Sequence, residues 1–417
     1  MERRGFLCAC GAGLLGLSRL APGAEEKPNI VLIMADDLGY ECLGCDGGTS
    51  YHTPNLDRLA AEGVRFTSAF CTPLCSPTRI ELMTGRYGFR NYRGWGVLDP
   101  KEVTFGHVLR QAGYATCVSG KWQLCHFDKP ENADHPRRAG FDEFCVWTWV
   151  FKRSKPSRYW DPLIWQNGKL LEGTKGKYAP DIHCQFIIDF IARNRSRPFF
   201  AYYPMNLVHA PFHPTPDTRD RKGGKQKFYA DMVAYLDKCV GRVVATLERL
   251  GLREKTLILF TGDNGTPRGI KSRMGKVEVP GGKGNMTDTG CHVPLIASWK
   301  GVTPPGRVCE DLVDFSDVFP TLAEVAGAPL PKVKIDGRSF LPQIRGERGK
   351  PREWVYIQLN NKKAVRTKRW KLHGDGRLFD IQSDPFERKP IPPEADTPES
   401  KAARKRLQAV LANLLRS

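Results

Sequence analysis

Several stretches of this chain are apolar without interruption and then stop at charged or amide residues. "NIVLIMADD" starts at Asn29 and ends on Asp36 and Asp37, and "TLILFTGDNG" repeats the design from Thr256, ending on Asp263 and Asn264. "YATCVSGKW" carries Lys121 just past its apolar part, and "RPFFAYYPMNLVHAPFHP" carries His209 and His213. A run with no polar alternation is what a strand covered on both faces requires. Between these runs "TPNLDRLAAEGVRF" and "YADMVAYLDKCVGRVVATLERLGL" show the helical period. Strands alternating with helices predict a largely parallel sheet covered on both sides, and such sheets build their sites at the carboxyl ends of strands. Taken singly, "DD" and "DNG" are ordinary turn sequences. Four strands delivering Asp36, Asp37, Lys121, His209, Asp263 and Asn264 to one edge predict a site. Three carboxylates and one amide oxygen form an oxygen donor set suited to a hard cation, Ca²⁺ before Mg²⁺ and either before zinc. Calcium takes six or more ligands, so a further group is expected to point at it.

The stretch "FCTPLCSPTRIELMTGR", Phe70 to Arg86, raises the question of what its cysteines do. Ser76-Pro77-Thr78 predicts a helix start that runs to Gly85. That start puts Cys75 at the cap, where free N–H groups and the helix dipole attract an anion, with Arg79 one turn on pointing back to the same end. Cys71 reads as packing. Near the C-terminus "WVYIQLNN", "KKAVRTKRWKLH" and "GRLFDIQ" predict antiparallel strands, and "ESKAARKRLQAVLANLLRS" a closing amphipathic helix.

With 417 residues, 41% of them hydrophobic, the chain can bury a large core. A formal charge of +19 attracts polyanions. Nucleic acid is not expected, because no basic helix, zinc-finger spacing or aromatic ribonucleoprotein motif is present to read bases; an anionic small molecule or sulfated polymer fits. Thirteen cysteines do not make an obvious disulfide framework, and the lone Cys42-x-x-Cys45 reads as packing rather than a redox pair or half a zinc site. Residues 1–24, with Arg3 and Arg4 ahead of a short apolar core, resemble a twin-arginine signal peptide and predict a periplasmic or extracellular protein. Beyond them no apolar run is long enough to span a bilayer.

Cys75-Ser76-Pro77-Thr78-Arg79, followed by Thr84-Gly85-Arg86, resembles the sulfatase motif C-x-P-x-R with its downstream T-G-R. "PNIVLIMADDLGY", "TPNLDRLAAEGVRF", "AGYATCVSGKW", "LILFTGDNGT", "GGKGNMTDTGCHVPLI" and "AVRTKRWKL" with "LFDIQSDPFE" resemble further sulfatase segments in family order. The resemblance, to the formylglycine-dependent, arylsulfatase A-like branch, implies an alkaline-phosphatase-like α/β/α sandwich around a mainly parallel mixed sheet at residues 25–335. A smaller C-terminal α+β subdomain is implied at 336–417.

It also implies that a formylglycine-generating enzyme or anaerobic maturase converts Cys75 to formylglycine. One Ca²⁺ is implied on Asp36, Asp37, Asp263, Asn264 and the modified Cys75, with Arg79, Lys121, His209 and Lys283 around the sulfate. The aldehyde hydrate would attack sulfur with Asp263 as base, and His209 or then Lys283 would protonate the leaving alcohol. Three positions depart from the family pattern: Thr78 for serine, His292 for arginine, and Gln123 for the histidine used near the hydrate. The substrate class implied is a sulfated carbohydrate, with Trp147, Trp149, Trp160 and Trp165 in the basic 125–180 segment as candidate rim residues. The competing readings are a phosphoester hydrolase of the same superfamily and a non-catalytic anion- or glycan-binding relative.

Overall fold

The uninterrupted apolar runs form the middle of one sheet. In the computed structural model, which describes residues 1, 27–127, 129–148 and 157–416, the strands Thr256–Gly262, Asn29–Ala35, Phe199–Pro204, Ala115–Lys121 and Glu143–Trp147 lie side by side in that order, all parallel. The strand His292–Trp299 pairs antiparallel with Thr256–Gly262, and Val64–Phe70 pairs antiparallel with it in turn. Short strands complete an eleven-stranded mixed sheet. Residues 2–24, on which the expected signal peptide falls, and Trp149 lie outside the described residues.

Alternate side chains of each central strand enter different cores, which is why the runs show no polar alternation. Ile30, Leu32 and Met34 pack on one face with Leu257, Leu259 and Tyr202, under the helices Cys75–Thr84, Phe105–Gln111 and Val318–Val325. Val31, Ile33 and Ala35 pack on the other with Ile258, Phe260 and Tyr203, under Pro54–Ala61, Ala179–Arg193 and Lys225–Arg249. The "TPNLDRLAAEGVRF" segment is therefore helical only to Ala61, and its Val-Arg-Phe opens a strand. Register then fixes the site. Ala35 lies opposite Gly262 and Lys121 opposite Trp147, so the residues that follow leave the sheet together. Gly120 is required there, because a β-carbon at its φ of 131° would fall 1.9 Å from the Pro204 carbonyl oxygen.

The C-terminal strands Val355–Leu359, Lys362–Arg366, Trp370–His373 and Leu378–Asp380 form a second, antiparallel sheet, backed by the Pro398–Arg416 helix. Residues Phe340, Leu341 and Ile344 still pack in the first core. The two parts are joined by a buried ion network in which Arg366 Nη2 reaches Asp288 Oδ2 at 2.8 Å. In the same network Lys371 Nζ reaches Asp288 Oδ1 at 3.2 Å and Glu387 Oε1 at 2.6 Å. No helix among the described residues is long and apolar enough to cross a membrane.

Candidate active site

The helix carrying the cysteine motif begins at Cys75 itself, with Leu74 as its cap. The sequence expectation placed Cys75 at the cap; the helix takes one more residue because Pro77, within the first turn, still costs no backbone bond there. Thr78 keeps the role a serine hydroxyl could fill, donating to the Leu74 and Thr72 carbonyls at 2.9 Å each. Cys75 is fully buried, and burial pushes its thiol up. Its Sγ lies 3.7 Å from Gln123 Oε1. Gln123 has a φ of 44°, a left-handed conformation held at a site position.

Around Cys75 the strand ends place three carboxylates among four cations. Arg79 donates from Nε (3.1 Å) and Nη2 (2.7 Å) to Asp263 Oδ2 and from Nη1 to the Lys121 carbonyl. Lys121 Nζ sits 2.8 Å from both oxygens of Asp36. Lys283 Nζ lies 2.7 Å from Asp37 Oδ2. Asp37, at φ 67°, donates its N–H to Asp263 Oδ1 and accepts from Asn264 Nδ2 at 2.8 Å. His209 Nε2 is 3.7 Å from Asp37 Oδ2, while Nδ1, 2.5 Å from the Ala210 carbonyl, must be the donor there.

Burial would raise Asp36, but Lys121 first, then His209, Arg79 and Arg158, hold its carboxyl well below the usual range. Burial and then the Asp36 charge push Asp263 up to about 6. Burial pushes His209 down to about 4, against the pull of Asp37. Lys283 is raised: burial lowers it, but the Asp37 charge, with those of Cys75 and Asp36 and the Asp37 hydrogen bond, together more than offset that.

The donor atoms fit a hard cation. Ligand atoms of Asp36, Cys75 and Asp263 lie within 4.8 Å of one another, as do those of Asp36, Asp37 and His209. Asn264 Oδ1 is buried with no hydrogen-bond partner among the described residues, on an amide whose Nδ2 donates to Asp37 Oδ1. A buried carbonyl oxygen left so is costly unless a cation or water meets it. The site opens on one side: the side chains of His209 and Lys283 are 22% and 18% exposed, against 1% or less for Asp36, Asp37, Arg79, Lys121 and Asp263.

Two site residues were not legible in the sequence. Arg158 Nη1 donates to Asp36 Oδ2 at 2.9 Å, and its guanidinium lies 4.4 Å from the Trp147 ring centre. Trp147 is thus a buried platform rather than a rim residue; Trp165 packs on Phe127 and Trp160 donates to the Pro214 carbonyl. Glu41 lies by the loops that follow Asp37 and Asn264, its Oε1 accepting from the Thr266 hydroxyl that also receives the Gly39 N–H. The remaining sequence candidates are structural. His292 stacks between Tyr40 and Phe70, His213 meets Tyr159 edge-on, and the eleven described cysteines are unpaired.

A mixed sheet with acidic and basic side chains gathered at its strand ends is the alkaline-phosphatase-like architecture. The sulfatase family model matches residues 28–328, and the model described as N-sulphoglucosamine sulphohydrolase, C-terminal, matches 282–416. Human arylsulfatase A is 35% identical over 409 residues, covering 89% of this chain and 78% of its own. Dog N-acetylgalactosamine-6-sulfatase is 33% identical over 386 residues, covering 85% and 73%. The crystal structure of Ps i-CgsB in complex with k-i-k-neocarrahexaose superposes with a TM-score of 0.76 at 26% identity, covering 93% of each chain. The chain belongs to the sulfatase family of sulfuric ester hydrolases.

Glu41 generates a pH prediction. Burial raises its carboxyl from 4.5 to about 7, against the Thr266 hydrogen bond. A group raised in the folded state favours folding below its unfolded pKa and loses that contribution as pH rises through the folded value. Glu41→Gln should therefore stabilise the protein above pH 7, by on the order of 2–3 kcal/mol, and change little below pH 5. Thermal melts of both proteins from pH 5 to 8.5 check this; equal shifts at both ends contradict it.

Proposed function

We propose that this protein hydrolyses sulfate esters of a sulfated carbohydrate, with Cys75 matured to formylglycine and one Ca²⁺ held by Asp36, Asp37, Asp263 and Asn264. The observation that carries the reading is the gathering of Lys121, Arg79, Arg158 and Lys283 on Asp36, Asp37 and Asp263, with Cys75 within reach of Asp36 and Asp263 and Asn264, its Oδ1 buried and unpartnered, bonded to Asp37. Four cations against three carboxylates already leave a positive surplus, and a dication enlarges it. A buried surplus of that sign calls for an anionic ligand.

When present, Ca²⁺ would supply positive charge to sulfuryl oxygens, and formylglycine a hydrated nucleophile whose second hydroxyl allows sulfate to be expelled. The chain's own groups divide the remaining work. Arg79, with Nε and Nη2 both on Asp263 Oδ2, fixes that carboxylate beside Cys75, where it can serve as the base. Lys121 and Arg158 bring two further charges to the closed end of the site. His209 and Lys283 line the open side, where the alcohol must leave, and Lys283 holds a proton in the resting structure. Gln123 cannot take a proton but can hydrogen-bond at the position of Cys75 and orient it. The carbohydrate class rests on the relative named as an N-acetylgalactosamine-6-sulfatase and the similar structure holding an oligosaccharide. Maturation by a formylglycine-generating enzyme or anaerobic maturase, and export through residues 1–24, complete the proposal.

The direct test is to express the full chain in a host with maturation machinery. Mass spectrometry of the Cys75 peptide should show loss of H₂S with gain of one oxygen, and the protein should turn over sulfate esters well ahead of matched phosphate esters. Activity with Cys75 wholly unmodified sinks the proposal, and a preference for phosphate esters favours the phosphoester hydrolase instead.

Gln123 gives a second prediction. Gln123→Ala should lower kcat/KM by roughly ten- to a thousandfold, the usual effect of losing one positioned polar group. Gln123→His should keep or improve turnover. Activity in Gln123→His with none in the matured parent would make the parent a binding relative.

A further inference from the structure

Beside the open end of the site lies a cavity of 260 Å³ that the catalytic machinery does not use. Its walls come from both parts of the molecule: Arg268 and residues 284–287 from the catalytic domain, and Lys362, His373 and Arg377 from the C-terminal sheet. It adjoins the active site along two pieces of chain. Gly284, in its wall, follows Lys283, whose Nζ is on Asp37. A β-carbon at Gly284 would lie 3.7 Å from the side chain of Leu74, the neighbour of Cys75, and 3.2 Å from Arg268 Nη2.

The charge of this cavity is one-sided. Arg268 is exposed yet held in place, donating from Nε to the Lys283 carbonyl at 2.9 Å and from Nη2 to Asn285 Oδ1 at 2.8 Å. Lys362 is exposed at the start of its strand. Arg377 is paired with Asp375 in the open, where water weakens the pair. The one carboxylate among the described residues of the wall, Glu387, is spent inward: it takes Lys371 Nζ at 2.6 Å, the Asp288 N–H at 3.0 Å and His373 Nε2 at 2.8 Å, and its side chain is 1% exposed. What faces the cavity is therefore two arginines and a lysine, with no carboxylate in the wall free to answer them.

We propose that this cavity is a second anion subsite, which receives another acidic substituent, sulfate or carboxylate, of the same substrate while the ester being cleaved lies at Cys75. The proposal deepens the sulfatase reading and rests on it for the position of the reacting ester. It assigns the C-terminal sheet a part in substrate selection: an ester with a second negative group that reaches this cavity is preferred over one without. Arginine suits this task because its fork matches the oxygens of sulfate and carboxylate, and Arg268, already anchored, loses little freedom on binding.

The test uses the full chain with Cys75→Ala, which cannot turn over, titrated in a calorimeter with matched monosulfated and disulfated disaccharides prepared from chondroitin and heparin. At least one disulfated compound should bind tenfold or more tighter than its monosulfated partner. The Lys362→Ala/Arg377→Ala double variant should lose most of that margin, roughly tenfold, while losing less affinity for the monosulfated compound. Lys362→Glu, a single exposed change, should lower the same margin. No margin in the parent, or a margin that survives both variants, overturns the subsite. Separately, hydrolysis of a small aryl sulfate by the matured parent reports on the sulfatase reading, so either idea can fail while the other stands.

Discussion

Everything in this molecule is arranged around one electrostatic constraint: three carboxylates, Asp36, Asp37 and Asp263, are taken out of water within a few ångströms of each other. Isolated buried charges are far too costly to keep, so each must be paired. Asp36 has Lys121 and Arg158, Asp263 has Arg79, and Asp37 has Lys283. No two of these cations come from the same stretch of chain. The sheet order follows from that requirement, because only parallel strands in the observed register bring residues 36, 121 and 263 to one edge.

The same constraint explains why the C-terminal part cannot be a loose appendage. Lys283 sits on a loop whose following residues are tied to the second sheet: Lys371 Nζ takes the Met286 carbonyl, and Asp288 is gripped by Arg366 and Lys371. Arg366 also lies over the Phe70 ring, at the end of the strand that leads into the cysteine motif. Removing one member of a buried ion network leaves the others uncompensated, at a cost of about 3–5 kcal/mol. The position of Lys283 is thus set from both sides of the seam, and so is the cavity beside it.

The strand-end residues were legible because continuous apolar runs and the polar residues that end them are local signals. The helix at Cys75 was legible to within one residue, Pro77 marking its first turn without fixing its first position. Arg158 could not be found that way. It lies beyond the end of any strand, and what makes it a site residue is its meeting with Asp36, 122 positions away, on a platform provided by Trp147. Glu41 failed to stand out for a related reason, since a glutamate four residues past Asp37 reads as a surface residue until Thr266 is folded over it. His292 departs from the family pattern, and its stacking between two aromatic rings makes it a packing residue.

The central claim is that this charge cluster is a calcium and sulfate site rather than a self-contained ion network. Elemental analysis of the matured protein, stripped with chelator and then dialysed against calcium, tests it most directly. The account predicts one calcium per chain in the parent, with sulfate ester turnover restored in step, and none in Asp263→Ala. Zinc at full occupancy, or sulfate ester turnover unaffected by the removal of all divalent metal, would contradict it.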